Sequence, residues 1–131
     1  MSELNDYQSF VYSVTSEPSK AIGEFAEVTA ELHEMVNIPL LLTAAIGMSS
    51  ENGEFSEIVK KCVFQGKEFN RKERYHMQRE LGDILWYLAN AATALGYNLD
   101  DIMFENIQKL EARYPNGFEV FRSENRVEGD L

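Results

Sequence analysis

A chain of 131 residues with 44% hydrophobic content is long enough for one domain with a core, too short for two, and too apolar to remain disordered. Its net charge of −10 opposes binding to nucleic acid duplexes and to anionic membranes. A lone cysteine, Cys62, rules out an intrachain disulfide, fits a reducing compartment and reads as a small buried hydrophobe.

The first element expected is a short helix capped by Asn5 and carrying Tyr7, Phe10, Val11 and Val14, broken between Thr15 and Ser19 by Pro18. Ile22, Phe25, Ala26, Val28, Leu32 and Met35 recur at helical spacing and predict a second helix, with His33 on a mixed-charge face. Asn37 before Pro39 is a start signal for a third, running from about Leu40 to about Phe64 and ended by Gly66. The basic, polar residues from Gly66 to Tyr75 read as a loop. A fourth helix follows, with one apolar face made by Leu81, Ile84, Leu85, Leu88, Ala91, Ala92 and Leu95 and a stop at Gly96. Asn98 and Asp101 form a capping pair for a fifth, whose inner face carries Ile102, Met103, Ile107 and Leu110 before Pro115 and Gly117 stop it.

These elements make an all-α fold, a single-domain helical bundle over residues 1–121 with a polar C-terminal tail over 122–131 that is free or reaches a partner subunit. The most apolar stretch, Ile38 to Met48, is too short to span a membrane. The N-terminus lacks a basic region followed by an apolar one, so no signal peptide and a cytoplasmic location are expected.

The chemistry lies in the acids. Residues three apart on a helix are separated by about 60° around its axis. Glu51 and Glu54 therefore share a face, with Glu57 a further step round, and Glu80 and Asp83 share a face of the next long helix. Facing each other, the two pairs would converge. Clustered carboxylates repel and resist burial, and a hard divalent cation such as magnesium offsets both effects. The other reading of the same spacing is a solvated acidic face. Gly53, between Glu51 and Glu54, means close backbone packing, room for a ligand, or tolerance on a surface turn.

Seven of the 12 basic residues, Lys60, Lys61, Lys67, Arg71, Lys72, Arg74 and Arg79, fall in one stretch, which reads either as a local anion site or as a solvated loop of mixed charge. Trp86 reads as core, whereas Tyr87 is divided between core and base stacking. Glu73 and His76 make a single ExxH match, and di-iron carboxylate bundles need two.

Taken together, these runs resemble the MazG-like nucleoside triphosphate pyrophosphohydrolases of bacteria and phages. The stretch from Gly47 through Glu51, Glu54 and Glu57 to Lys61 resembles the family's first motif, and Arg79, Glu80, Asp83 and Tyr87 carry the second. Asn106, Lys109, Leu110 and Arg113 match its closing segment, Tyr7 and Gln8 its opening, and the likeness covers residues 5 to 117 in order. The resemblance implies an all-α pyrophosphatase fold that cleaves a (deoxy)nucleoside triphosphate to monophosphate and pyrophosphate for control of the nucleotide pool. It implies Mg²⁺, with Mn²⁺ able to substitute, on Glu51, Glu54, Glu80 and Asp83. It also implies Glu57 as a further ligand or a base for water, and Lys60, Tyr87, Asn106 and Lys109 toward the substrate; phosphoryl chemistry on such a site would use Glu54 or Glu57 as the catalytic base and add Arg79 to the groups that neutralise phosphate. Homodimers or homotetramers in a bacterial or phage-infected cytoplasm are expected, with neither a nucleic acid polymer nor a membrane as partner. Ser49, Ser50 and Asn52 make the first motif more polar than is usual in the family, which bears on substrate preference. The competing class is a non-catalytic acidic helical module for dimerisation or interaction, in which the acids would be scattered over the surface.

Overall fold

The computed structural model describes residues 3–130. The expected absence of a signal peptide depends in part on the first two residues, and the tail includes Leu131; these three lie outside the described range. The described residues form helices and one isolated bridge between Pro115 and Gly117. No single helix among them is long and apolar enough to cross a membrane.

The chain divides into two compact units, Met1–Pro39 and Leu40–Leu131. The first holds α1 (Glu3–Val14), α2 (Glu17–Lys20) and α3 (Ile22–His33). The break expected around Pro18 contains a helical turn of its own. Pro18 occupies the start of α2, where its missing N–H has no intrahelical partner to lose. Lys20 closes that turn with an ion pair to Glu17 at 2.6 Å. His33 does more than sit on a charged face: its Nδ1 accepts a hydrogen bond from the Ile38 N–H at 3.1 Å. That N–H opens the next helix and would otherwise lack an acceptor.

The second unit is built on α4 (Ile38–Phe64, whose first residues fall in the first unit), α5 (Arg71–Leu95), α6 (Leu99–Arg113) and α7 (Val120–Glu124). Local chemistry accounts for the end of α4, both ends of α5 and the start of α6. Gly66, at φ 69°, lets the chain turn back so that the Lys67 N–H reaches the Lys61 carbonyl at 3.0 Å. The basic loop is shorter than its polarity suggests, because Asn70 caps α5 by accepting from the Lys72 N–H at 2.8 Å. Arg71 to Tyr75 are therefore helical. Gly96, at φ 78°, ends α5 in the same left-handed geometry as Gly66, with the Tyr97 N–H bonded to the Ala92 carbonyl. Asn98 then caps α6 by accepting from the Asp101 N–H at 2.8 Å, as its spacing predicts, while its side-chain amide, rather than its backbone N–H, donates to the Asp101 carboxylate at 2.6 Å.

The C-terminal segment is tied down. Val120 to Glu124 form α7, so the boundary drawn at residue 121 falls inside a helix. Beyond it, Arg113 at the end of α6 grips both carboxylate oxygens of Asp130, with Nε to Oδ2 at 2.6 Å. The Arg113 hydrogen bond holds the Asp130 carboxyl below its ordinary range, so the pair is charged at neutral pH.

The core of a single chain is sparse. Its buried apolar residues are Ile38, Ala44, Ile58, Ala91, Ala92 and Ala94, and no large side chain is fully buried among the described residues. The expected inner face of α5 is only partly inward: Leu81 and Leu85 remain more than half exposed. On α6, Met103, Ile107 and Leu110 are exposed as well.

Candidate functional site

Two long helices position the acids. α4 carries Glu51, Glu54 and Glu57, and α5 carries Glu80 and Asp83. Carboxylate oxygens of Glu51, Glu54 and Glu80 lie within 4.8 Å of one another. Glu80 is buried at 5% exposure, Glu51 is half-buried and Glu54 is exposed. Burial lifts the Glu51 carboxyl above its ordinary value. The charges of Glu54, Asp83 and Glu80, and a hydrogen bond with Glu80, push the same way. Asp83 thus stands close enough to repel Glu51, although its oxygens fall outside the tight group of three.

The donor set is all oxygen and anionic, which suits a hard cation. Ligand oxygens on octahedral magnesium are about 3 Å apart when adjacent and about 4 Å when opposite, given Mg–O near 2.1 Å. Oxygens within 4.8 Å of one another come close to that spacing. The residues therefore fit a divalent cation.

A second contact fixes the spacing of the two helices beside the acids. Gly47 is buried one turn before Glu51, and Tyr87 lies one turn after Asp83. A Cβ added at Gly47 would stand 2.3 Å from the Tyr87 ring. Only glycine lets that ring lie against the α4 backbone, and the Tyr87 ring also stacks with Trp86, centroids 4.9 Å apart. Tyr87 is half-buried in this seat, while Trp86, expected in the core, is 60% exposed. Gly53 plays no such part, since nothing approaches its missing Cβ within 4 Å. Of the readings open for Gly53, close packing is excluded and open space remains. The two glycines therefore separate by substitution. Gly47→Ala is expected to destabilise by about 1–3 kcal/mol through overpacking. Gly53→Ala is expected to stabilise by about 1 kcal/mol through helix propensity. Thermal unfolding of both variants, with Tyr87→Ala added to relieve the first, measures the difference; equal effects at the two positions would show that Gly47 has no special seat.

The remaining residues singled out by sequence are dispersed. Glu57 lies outside the tight group, its carboxylate held by Lys60 at 2.5 Å and Lys61 at 3.4 Å. The Lys60 hydrogen bond sets its carboxyl below the ordinary range, which makes it a weaker proton acceptor at neutral pH. Arg79 is exposed next to Glu80. Asn106 and Lys109 line a cavity of about 640 Å³ beside α6 with Tyr97, Asp101, Ile102 and Glu105, and none of the clustered acids contributes to its wall. Lys109 and Arg113 also border a cavity of about 420 Å³ closed by the C-terminal segment.

The ExxH match does not form a ligand pair. Glu73 turns to Lys67 at 3.1 Å, and its buried second oxygen has no hydrogen-bond partner. His76 turns the other way along α5, its Nε2 lying 2.7 Å from Oε1 of Glu80. Two residues near the acids were thus not picked out for these roles by sequence, Gly47 and His76. The four-residue step from His76 to Glu80 was the available signal for the second, and nothing local marked the first.

Residues 41–118, more than half of the chain, match the MazG nucleotide pyrophosphohydrolase domain. The Gene 37 protein of Mycobacterium phage L5 is 32% identical over 83 residues, covering 62% of this chain and 72% of that protein. No solved structure gives a significant match.

Proposed function

The chain belongs to the MazG nucleotide pyrophosphohydrolase family, and from that premise we propose that it hydrolyses (deoxy)nucleoside triphosphates to the monophosphate and pyrophosphate in a magnesium-dependent reaction. The observation that carries this reading is the convergence of Glu51, Glu54 and Glu80 from two helices, with Asp83 beside them. An interaction module has no need to gather acids at a cost in repulsion, so the convergence counts against that alternative.

Magnesium bound there would neutralise triphosphate oxygens and lower the pKa of an attacking water. Glu51, Glu54 and Glu80 would hold the cation, with Asp83 beside them. Glu54, the most solvent-accessible of the tight group, takes the proton of the incoming water. Lys60 and Arg79 lie on the same two helices as the acids and screen phosphate charge, Lys60 after exchanging Glu57 for substrate. Tyr87, one turn from Asp83, borders the sugar or base. Asn106 and Lys109 serve phosphate from the α6 cavity. Water adds to phosphorus, the bond to the pyrophosphate oxygen breaks, and the proton leaves through Glu54, so atoms balance without a further reactant.

We also assign a second copy of the chain to the exposed apolar stripe of Leu81, Leu85 and Leu88 on α5. Monomeric soluble proteins seldom leave so much helical apolar face in water. The setting proposed is the cytoplasm, where triphosphates are abundant.

The decisive experiment is a panel of ribo- and deoxyribonucleoside triphosphates with Mg²⁺, scored for pyrophosphate against orthophosphate. Pyrophosphate in equal amount to monophosphate is expected. Orthophosphate as sole inorganic product, or no turnover of any triphosphate, would overturn the assignment.

A further inference from the structure

We propose that His76 is a positioning residue, whose ring N–H holds the Glu80 carboxylate in place for the cation; the inference rests on the metal site proposed above. Glu80 is the buried member of the tight group and comes from the opposite helix to Glu51 and Glu54, so its orientation decides whether the three converge. A glutamate reaches its site through three rotatable bonds. Without cation or anchor, repulsion from Glu51 and Glu54 favours rotamers that turn it away. His76 lies four residues earlier on α5, on the same face, and its Nε2 is 2.7 Å from Oε1 of Glu80. A neutral imidazole with its proton on Nε2 donates to that oxygen and leaves the other oxygen for the ion.

His76 is not itself a ligand. Among the described residues, no nitrogen of His76 lies within mutual reach of one ion with the three carboxylates. It therefore stands one shell out, bonded to a ligating carboxylate. Outer partners of this kind fix ligand geometry, and their loss costs about 10–100-fold in metal affinity.

The competing account is an ordinary surface pair four residues apart on a helix, worth a few tenths of a kcal/mol to stability and nothing to metal binding. The His76 side chain is 52% exposed, so its replacement leaves no buried cavity and the variants should fold.

The test is direct binding of Mn²⁺ to the full chain, followed by electron paramagnetic resonance, together with the Mg²⁺ dependence of turnover. His76→Ala is expected to weaken Mn²⁺ binding by about 10–100-fold and to raise half-saturating Mg²⁺ in parallel. Its kcat at saturating Mg²⁺ should stay near wild type, because every ligand is still present. His76→Gln, which keeps an N–H donor near the same place, should recover most of the affinity, whereas a purely structural role predicts no such rescue. Equal Mn²⁺ affinity in wild type and His76→Ala would overturn the role of His76 while leaving the metal site standing. A wild-type chain that binds no Mn²⁺ would overturn both.

Discussion

Glu51→Gln is expected to fold and to lose turnover by about 10²–10³-fold, the equivalent of the several kcal/mol of charge stabilisation that a correctly held cation supplies. Glutamine keeps the size of the side chain and removes its charge, so the effect is on ligation rather than packing. Metal-free stability should change in the opposite direction. The Glu51 carboxyl is raised by burial and by its acidic neighbours. A carboxyl raised in the folded state contributes stability that is present below its unfolded value and lost as pH rises through the folded value. The metal-free wild type should therefore lose stability as pH climbs from about 4.5 through the raised titration of Glu51, and Glu51→Gln should lose less over that window. Mg²⁺ reverses the balance by stabilising the ionised cluster, and by mass action raises the melting temperature of wild type more than that of the variant. Melting curves across pH, with and without Mg²⁺, and turnover with saturating triphosphate check both halves. Full turnover of the variant in Mg²⁺ would remove Glu51 from the site.

Leu85→Glu is expected to break the chain into monomers and to lower its melting temperature. Leu85 is 55% exposed in the single chain, and Leu81 and Leu88 border it on the same side of α5. Burying a leucine contributes about 1.5–3 kcal/mol, and a two-fold interface counts each substitution twice. With about half of each Leu85 already covered in the single chain, the loss is roughly 1.5–3 kcal/mol, about 10–10²-fold in the dissociation constant before any cost of burying the new charge. Because few apolar side chains are buried within one chain, assembly and stability should fall together and the wild-type melting temperature should rise with protein concentration. Sedimentation of both proteins at micromolar concentration decides it. A wild type that sediments as a monomer, with a melting temperature independent of concentration, would show that the α5 stripe meets no second copy.

How much was legible in the sequence depends on the range of the interaction. Gly66, Gly96, and the pair Asn98 and Asp101 act within a few residues of themselves, so their turns and caps followed from residue type and spacing. Pro18 and Asn70 act just as locally: Pro18 follows the end of α1 at Val14 and opens the turn of α2, and Asn70 caps α5. The polarity of Gly66 to Tyr75 suggests a loop throughout, but charged side chains are comfortable in an exposed helix, so only residues 66–70 of that stretch lie outside one. The helical period alone places the glutamates on faces, so the sharing of a face by Glu51 with Glu54, and by Glu80 with Asp83, is legible in the sequence.

What the sequence by itself determined is therefore an all-α chain, its principal helix ends and the acids each long helix carries, because helical geometry converts spacing into direction. Only the tertiary structure decided which of those acids share a centre, that Gly47 rather than Gly53 is the close-packed glycine, that Glu57 is claimed by lysines, and that the leucines of α5 lie open. Those outcomes depend on where one helix stands against another. That placement is set by side-chain volumes and charges many residues apart in the chain, which no local period records.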